Sequence, residues 1–578
     1  MIKYFFYILS TIIAYQFFTS CASPSSPTGG PKDTIPPTLI HSIPLNQTIN
    51  FKEQTITLEF DERIKADKIK EQLIITPLIE SEYEFTIKKN TFKITFNEPF
   101  KDSTTYTLNF REAIQDLTEG NPTNNNKFTF STGSYIDSLS ITGYVKDLLT
   151  YDTLKNITIG LYNTPDTITI FNGSPYYFTE VDEYGKYLIE NIKNGKYLLY
   201  AFSDDNKNLK LETNKESYGF VKDTILLDTG LIVKNVDLIH LDLSPFKKMT
   251  ALASGKYFEI NFNKYILDYE ITPVNSNHPL LTNRAKENKA IRVYNNFDSI
   301  DSLQIAFVAR DSINSIVQDT VFAKFSQSRR KTDDLTVQIT PKDRSAIPPS
   351  FAAQLTFNKP IITYNLDSIF IQYDTTKISN IHDSTFVWSK NNDILNFDVH
   401  IDKILIDTLI AQKQRMITAQ SDSAIKQKEQ IPLKKQMSSK EKQEAPKINQ
   451  GLQLYFGTEA FTTADNDTSK AMGYSYKFID PTNYGIQNIS VQTSYTSYTI
   501  QLLKENYEIV QEVKNQNNFS FNTIEPGKYK IRVLIDANED GVWSPGNMLE
   551  QIEPEPVYIY PDVLVIRADW QTSLTLTF

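Results

Sequence analysis

Asp536, Asn538 and Asp540 alternate along the stretch DANEDGVW, residues 536–543, with Gly541 directly behind them. Side-chain oxygens at positions one, three and five and a backbone carbonyl at seven are how a calcium loop begins. Position seven here is Val542. Such a loop ordinarily ends on a bidentate acid at position twelve; that position is Asn547, and the nearest later acid is Glu550. A structural calcium held by Asp536, Asn538, Asp540 and the Val542 carbonyl is one expectation. A turn closed by its own backbone is the other. No other cofactor is expected.

Other patterns offer less chemistry. His382, Asp383 and Ser384 are the residue types of a hydrolase triad, but neighbours on a strand point to opposite faces and cannot relay a proton. There is no G-x-S-x-G and no H-E-x-x-H, so nucleophile-elbow and zinc-protease chemistry lack their scaffolds. The GGP at 29–31 lacks the Lys and Ser/Thr of a phosphate loop. Asp61 and Glu62 form an acidic pair, but matching segments carry Asn263-Lys264 and Asn358-Lys359, which marks a structural turn. Trp388, Trp543 and Trp570 could form a sugar platform, although sandwich cores use large aromatics too. His41, His240, His278, His382 and His400 show no metal-ligand spacing. The chain is read as non-enzymatic, with no catalytic residue.

The elements that must position these residues follow from composition. At 578 residues the chain exceeds one core, and 40% apolar with 12% aromatic residues suffice for several. A net charge of −10 argues against a nucleic-acid partner. One Cys excludes an intrachain disulfide framework and a cysteine zinc site. That Cys, Cys21, follows Lys3 and an apolar stretch from Tyr4 to Phe18, the layout of an export leader too short to span comfortably. The alternative is an uncleaved anchor helix with an incidental Cys. The Pro-, Ser- and Gly-rich SPSSPTGGPKDTIPP reads as a flexible tether.

Two sets of repeats set the architecture. ITLEFDERIKADKI (56–69), FEINFNKYILDYEI (258–271) and AQLTFNKPIITYNL (353–366) each alternate into a Phe, then Asp or Asn, then reach an Ile four residues past the Phe. Alternation is the strand signal, and Asp or Asn suits the turn that closes it. The second set aligns 191–214 with 523–546 without gaps: Gly195-Lys196-Tyr197 meets Gly527-Lys528-Tyr529, and Asp204, Asn206 and Asn208 meet Asp536, Asn538 and Asp540. In the first copy Leu209 replaces the Gly, and the charge is lower. Short strands between polar turns predict an all-β chain of tandem sandwiches. Residues 405–448 break the pattern; they are rich in Lys, Gln, Ser and Glu and read as a helical or disordered insertion.

Several resemblances sharpen this. Thr19-Ser20-Cys21-Ala22 is similar to a bacterial lipoprotein signal, which implies cleavage before Cys21 and lipidation of its thiol. Pro36, Pro37, Ser42, Pro44, Phe60 and Asp61 resemble the bacterial Ig-like domain family of S-layer and surface proteins, and GGPKDTIPP after the Cys resembles Bacteroidetes lipoproteins carrying that domain. The G-x-V-x-D at 143–147 with the G-K-Y repeats resembles transthyretin-like or Cna-B-like sandwiches. The expected order is a signal peptide (1–20), tether (21–36), Ig-like domain (37–134), transthyretin-like domain (136–242), Ig-like domains at 246–328 and 335–486, the latter with the insertion, and a transthyretin-like domain (487–578). The implied function is a β-sandwich scaffold or adhesion module of the bacterial envelope. The alternative is a glycan-binding or nutrient-uptake accessory lipoprotein. Expected partners are the outer membrane, through Cys21, and other envelope proteins. Surface-export signals in related bacteria are often acidic after the Cys; no acidic run follows Cys21, so the membrane face stays open.

Overall fold

The structure, a computed structural model, describes residues 32–124, 126–164, 168–254, 256–274, 279–295, 302–325, 333–374, 376–428 and 451–578. Cys21, the leader at 1–20 and most of the tether lie outside the described residues, as does the insertion beyond 428. The fold is all-β, built of tandem β-sandwiches; among the described residues the one long helix is Lys403–Lys428. Among the described residues no helix is long and apolar enough to cross a membrane.

The alternation in sequence becomes alternation in burial. In Thr55–Phe60, Ile56, Leu58 and Phe60 point into the core, and the residues between are half-buried. In Ile394–His400, Leu395, Phe397 and Val399 are buried while Asn396, Asp398 and His400 face solvent. A strand's two-residue period sorts side chains this way once one face is covered.

The chain divides into two compact units. The first begins with the sheet Leu39–Ile43, Thr55–Phe60, Thr91–Phe96, Tyr83–Lys88, which faces the sheet Ile74–Thr76, Thr105–Asn109, Lys127–Ser131 across a core rich in Phe. Next come the sheet Lys186–Ile192, Leu139–Asp147, Leu231–Val233 and the sheet built on Tyr177–Glu180, Ile157–Asn163 and Gly195–Ser203. Within this unit Asn191 ties the two sandwiches, accepting from the Thr107 hydroxyl (3.1 Å) and donating to the Asp137 carbonyl (2.9 Å).

The second unit contains the sheets around Tyr257–Phe262 and Ser302–Arg310, then those around Ser350–Phe357 and Leu452–Phe456, and last the sheets around Gly485–Gln492 and Tyr498–Lys504. The long helix leaves the middle of these after His400. Asp402 accepts from the Leu405 amide, and Ile406 is buried in the core of that sandwich. The polar insertion is therefore helical where it starts, anchored by Ile406 with Ile410 packed against the same core.

Both repeats survive as topology. At the Phe-Asp/Asn turn, Asp61, Asn263 and Asn358 do one job: each side chain accepts the amide of an opposite segment, Thr38 (2.8 Å), Lys247 (2.7 Å) and Thr336 (2.8 Å). In the G-K-Y repeat, the Tyr197 hydroxyl donates to the Lys193 carbonyl (2.8 Å) and the Tyr529 hydroxyl to the Glu525 carbonyl (2.7 Å). Each ring lies over its glycine: a Cβ on Gly195 would stand 3.2 Å from Tyr197. A Cβ on Gly527 would stand at an ordinary 3.5 Å from Tyr529, so the fit is tight in the first copy only. In both copies the first strand also pairs in parallel with a late one, Leu139–Asp147 with Leu231–Val233 and Gly485–Gln492 with Gln571–Thr577.

Candidate functional site

The aspartate loop sits at the end of Gly527–Ile535, the central strand of its sheet. Asp536 is buried and receives three donors: the Asp540 amide on Oδ1 (3.2 Å), and the Gly541 amide (2.8 Å) and Ser497 hydroxyl (2.7 Å) on Oδ2. Asn538 Oδ1 also accepts the Asp540 amide (2.9 Å), and Asp540 Oδ1 accepts the Val542 amide (2.9 Å). Side-chain oxygens folding back on amides two to five residues ahead is the chemistry of Asx turns. The Ser497 hydroxyl holds the Asp536 carboxyl below the usual carboxylate range; burial pulls the other way, and the Gly541, Asp540 and Glu539 amides add to the lowering.

The earlier copy has the same bonds. Asp204 accepts the amides of Asn208 (2.9 Å) and Leu209 (3.1 Å), Asn206 that of Asn208 (3.0 Å), and Asn208 that of Lys210 (2.8 Å). Leu209 takes the left-handed conformation of Gly541, at φ 57° against 93°. Among the described residues no hydroxyl donates to Asp204 as Ser497 does to Asp536, and burial raises its carboxyl despite the Leu209, Asn208 and Lys207 amides.

The residue that closes the later loop is Glu555. Its buried carboxylate accepts the amides of Ala537 (3.0 Å) and Asn538 (3.1 Å) on Oε1 and of Ser544 (2.7 Å) on Oε2. Nothing in the local pattern points to it, because it lies beyond the loop's own residues. Asn547, at the twelfth position, caps the turn Met548–Glu550 through the Leu549 amide (3.0 Å). Glu550 is exposed. The loop thus brings Asp536, Asn538 and Asp540 together on protein donors and supplies no bidentate acid where a calcium cage wants one. Among the described residues no group of three or more His, Cys, Asp or Glu is placed to hold a metal ion.

Residues after the Phe-Asp/Asn turn differ in charge. Lys359 is fully buried and meets Asp465 and Asp467, each at 2.9 Å. Lys264, likewise buried, meets Asp311 at 2.5 Å. The first domain has Glu62 there; burial raises its carboxyl, with Asp116, Asp33 and Asp61 adding to the rise. Asp116 itself is held at about 2: burial opposes this, and the amides of Gly120, Glu119 and Asn121 outweigh it.

The tryptophans do not share a platform. Trp388 is half-buried and stacks on Phe357 (5.9 Å, 25°). Trp543 is half-buried, its indole donating to the Glu555 carbonyl (3.1 Å). Trp570 is exposed, with the Arg567 guanidinium over its ring at 4.8 Å. Asp383 and Ser384 belong to one 3-10 turn, Asp383–Thr385, that His382 precedes, and not to a strand. His278 lies outside the described residues.

These features define a chain of linked β-sandwiches in which the two aspartate loops carry protein amides on their side-chain oxygens. Residues 33–132 match the family described as Bacterial Ig-like domain. No curated protein matches the sequence. Similar solved structures include the Bacillus anthracis TIE protein, 9% identical over 95% of this chain and 76% of that one (TM-score 0.12). The major pilin subunit BcpA of Bacillus cereus is 8% identical over 76% and 99% (TM-score 0.12). The S-layer protein rSbsC is 11% identical over 91% and 67% (TM-score 0.13).

Proposed function

We propose that the protein is a non-enzymatic, cell-surface β-sandwich scaffold or adhesion module of the bacterial envelope, held on the outer membrane by lipid on Cys21. The observation that carries the reading is the Ig-like domain matched at 33–132, placed directly behind a leader that ends on the chain's single Cys. Linked sandwiches keep binding loops and sheet edges at a distance from an anchor, and both recognise other proteins without chemistry of their own. Acyl chains on Cys21 would add membrane affinity in proportion to the methylenes they bury.

The test is fractionation of cells producing the full chain and its Cys21→Ala variant, with acylation read by mass spectrometry. The wild type should be acylated and sediment with the outer membrane; Cys21→Ala should leave that fraction. Equal partitioning of the two proteins would overturn the anchor. Affinity purification from the same membranes tests the scaffold: reproducible envelope partners support it, and repeated recovery of the protein alone removes it.

A further inference from the structure

A half-open groove of about 720 Å³ lies on the sandwich around Ser350–Phe357. It lies where the exposed face of the paired strands Ser350–Phe357 and Ile394–His400 meets the segment 379–385. Its volume falls in the range of roughly 300–1,000 Å³ that small-ligand sites occupy.

The strand register builds the groove's polar wall. Ser350 stands opposite His400, and Ala352 opposite Asp398, all four on the solvent face. Cross-strand partners on one face are close enough to bond, and Ser350 Oγ lies 2.6 Å from His400 Nδ1. Opposite them the segment 379–385 presents the Asn380 amide, the His382 imidazole and the hydroxyls of Ser384 and Thr385. The Ala352 methyl leaves the space between Ser350 and Asp398 open.

The donor and acceptor inventory selects a ligand class. A neutral imidazole donates from one ring nitrogen and accepts at the other, and a hydroxyl does both. If Ser350 donates to His400 Nδ1, the ring offers Nε2–H as donor and Ser350 keeps lone pairs to accept. If Nδ1 donates to Ser350, Nε2 accepts and the Ser350 hydrogen is free to donate. In either tautomer the pair shows a ligand one donor and one acceptor, which is what another hydroxyl needs. Asn380, Ser384 and His382 have the same two-way capacity, while the Thr385 hydroxyl donates to the His382 carbonyl (3.2 Å) and accepts the Asp398 amide (3.4 Å). Among the described residues Asp398 is the only carboxylate lining the groove and neither Lys nor Arg lines it, so a phosphate or carboxylate ligand would meet no cation among them to pair with. The apolar liners are the half-buried Phe351 ring and the Ala352 methyl, with Ile381 and Val399 buried beneath them, so the groove also offers an apolar face to a ligand's C–H surface. No carboxylate among the described residues is hydrogen-bonded to the His400 ring, so the Ser350–His400 pair lacks the orienting group of a hydrolytic triad.

We infer that this groove binds a neutral polyhydroxylated ligand, a short run of sugar residues, with Asp398 and the Ser350–His400 pair gripping its hydroxyls and the 379–385 segment closing over it. The site is distinct from the tryptophans and needs none of them.

The test is saturation-transfer NMR on the full-length protein with maltotriose, cellotriose, mannotriose and chitotriose as probes, and inorganic phosphate as the anionic control. At least one trisaccharide should bind with a dissociation constant of about 1 mM or tighter, and phosphate should not. Asp398→Asn and His400→Ala should each weaken that binding about tenfold. Both residues are exposed, so their variants should keep the wild-type unfolding curve, and Trp570→Ala should leave binding unchanged. Failure of all four sugars to bind, binding within about twofold of wild type in both groove variants, or a preference for phosphate would overturn the inference.

Discussion

Glu555 offers the sharpest test of how the aspartate loop is held. Replacing it with Ala removes the acceptor for the amides of Ala537, Asn538 and Ser544. Hydrogen bonds to a charged acceptor contribute about 1.5–3 kcal/mol each where water is excluded. Here Ala537 and Asn538 are exposed and Ser544 is half-buried, so water replaces part of each bond. Counting about 1 kcal/mol per amide puts the cost of Glu555→Ala near 3 kcal/mol. Glu555→Gln keeps one oxygen for two of the amides and turns an NH2 toward the third, so it should cost about half as much. The indole of Trp543 donates to the Glu555 carbonyl, which makes it a reporter beside the break. Urea unfolding followed by Trp543 fluorescence, with Trp388 and Trp570 changed to Phe, reads the local transition; the chain as a whole will not unfold in two states. A loss below about 0.5 kcal/mol for Glu555→Ala, or equal losses for Ala and Gln, would refute the idea that this carboxylate closes the loop.

Calcium should raise the unfolding temperature of this region little, and Asp536→Ala should destabilise it equally with calcium or with a chelator. A calcium-dependent rise abolished by Asp536→Ala would show that a cation completes the loop after all. Gly541→Asn should cost about 1 kcal/mol in the same unfolding assay: a Cβ there meets nothing, but a φ of 93° lies beyond the left-handed region that Leu209 occupies at 57°. Lys359→Met should cost about 3–5 kcal/mol by leaving Asp465 buried without its partner, with partial recovery in Lys359→Met/Asp465→Asn; Trp388, stacked on Phe357, reports it. The Asp467 carboxyl is lowered, burial opposing and the Lys359 and Leu335 bonds prevailing. Its share of the stability is present above the unfolded value of about 3.9 and fades as pH falls through the lower folded one. Glu62 behaves oppositely: its raised carboxyl favours the folded state below the unfolded value, and that benefit is lost as pH rises through the folded one. Glu62→Lys should therefore stabilise the first domain at pH 7 by about 0.5–1 kcal/mol, and the gap should narrow on acidification in differential scanning calorimetry.

Much of the fold was legible because it is written locally. The alternation of Ile56, Leu58 and Phe60 states which face is covered without saying by what. The Asp or Asn after each Phe announced a turn, and the structure adds which amide each one holds. Gly195-Lys196-Tyr197 and its later copy announced a shared local structure, and in both the Tyr hydroxyl reaches the carbonyl four residues back. The glycan reading attached to Trp388, Trp543 and Trp570 found no common platform, because residue type alone cannot say which face an indole takes.

What the sequence by itself determined is the class of building block: strands, tight turns, tandem β-sandwiches and a polar insertion between two strands. These depend on side-chain period and backbone preference within a dozen residues. Only the tertiary structure decided the partners. Lys359 finds Asp465, Ser350 finds His400, and Glu555 reaches back to Ala537, because sheet register and the facing of two sheets bring distant residues within bonding distance. A local pattern fixes whether a side chain points inward or outward; only the closed sandwich fixes what it meets there.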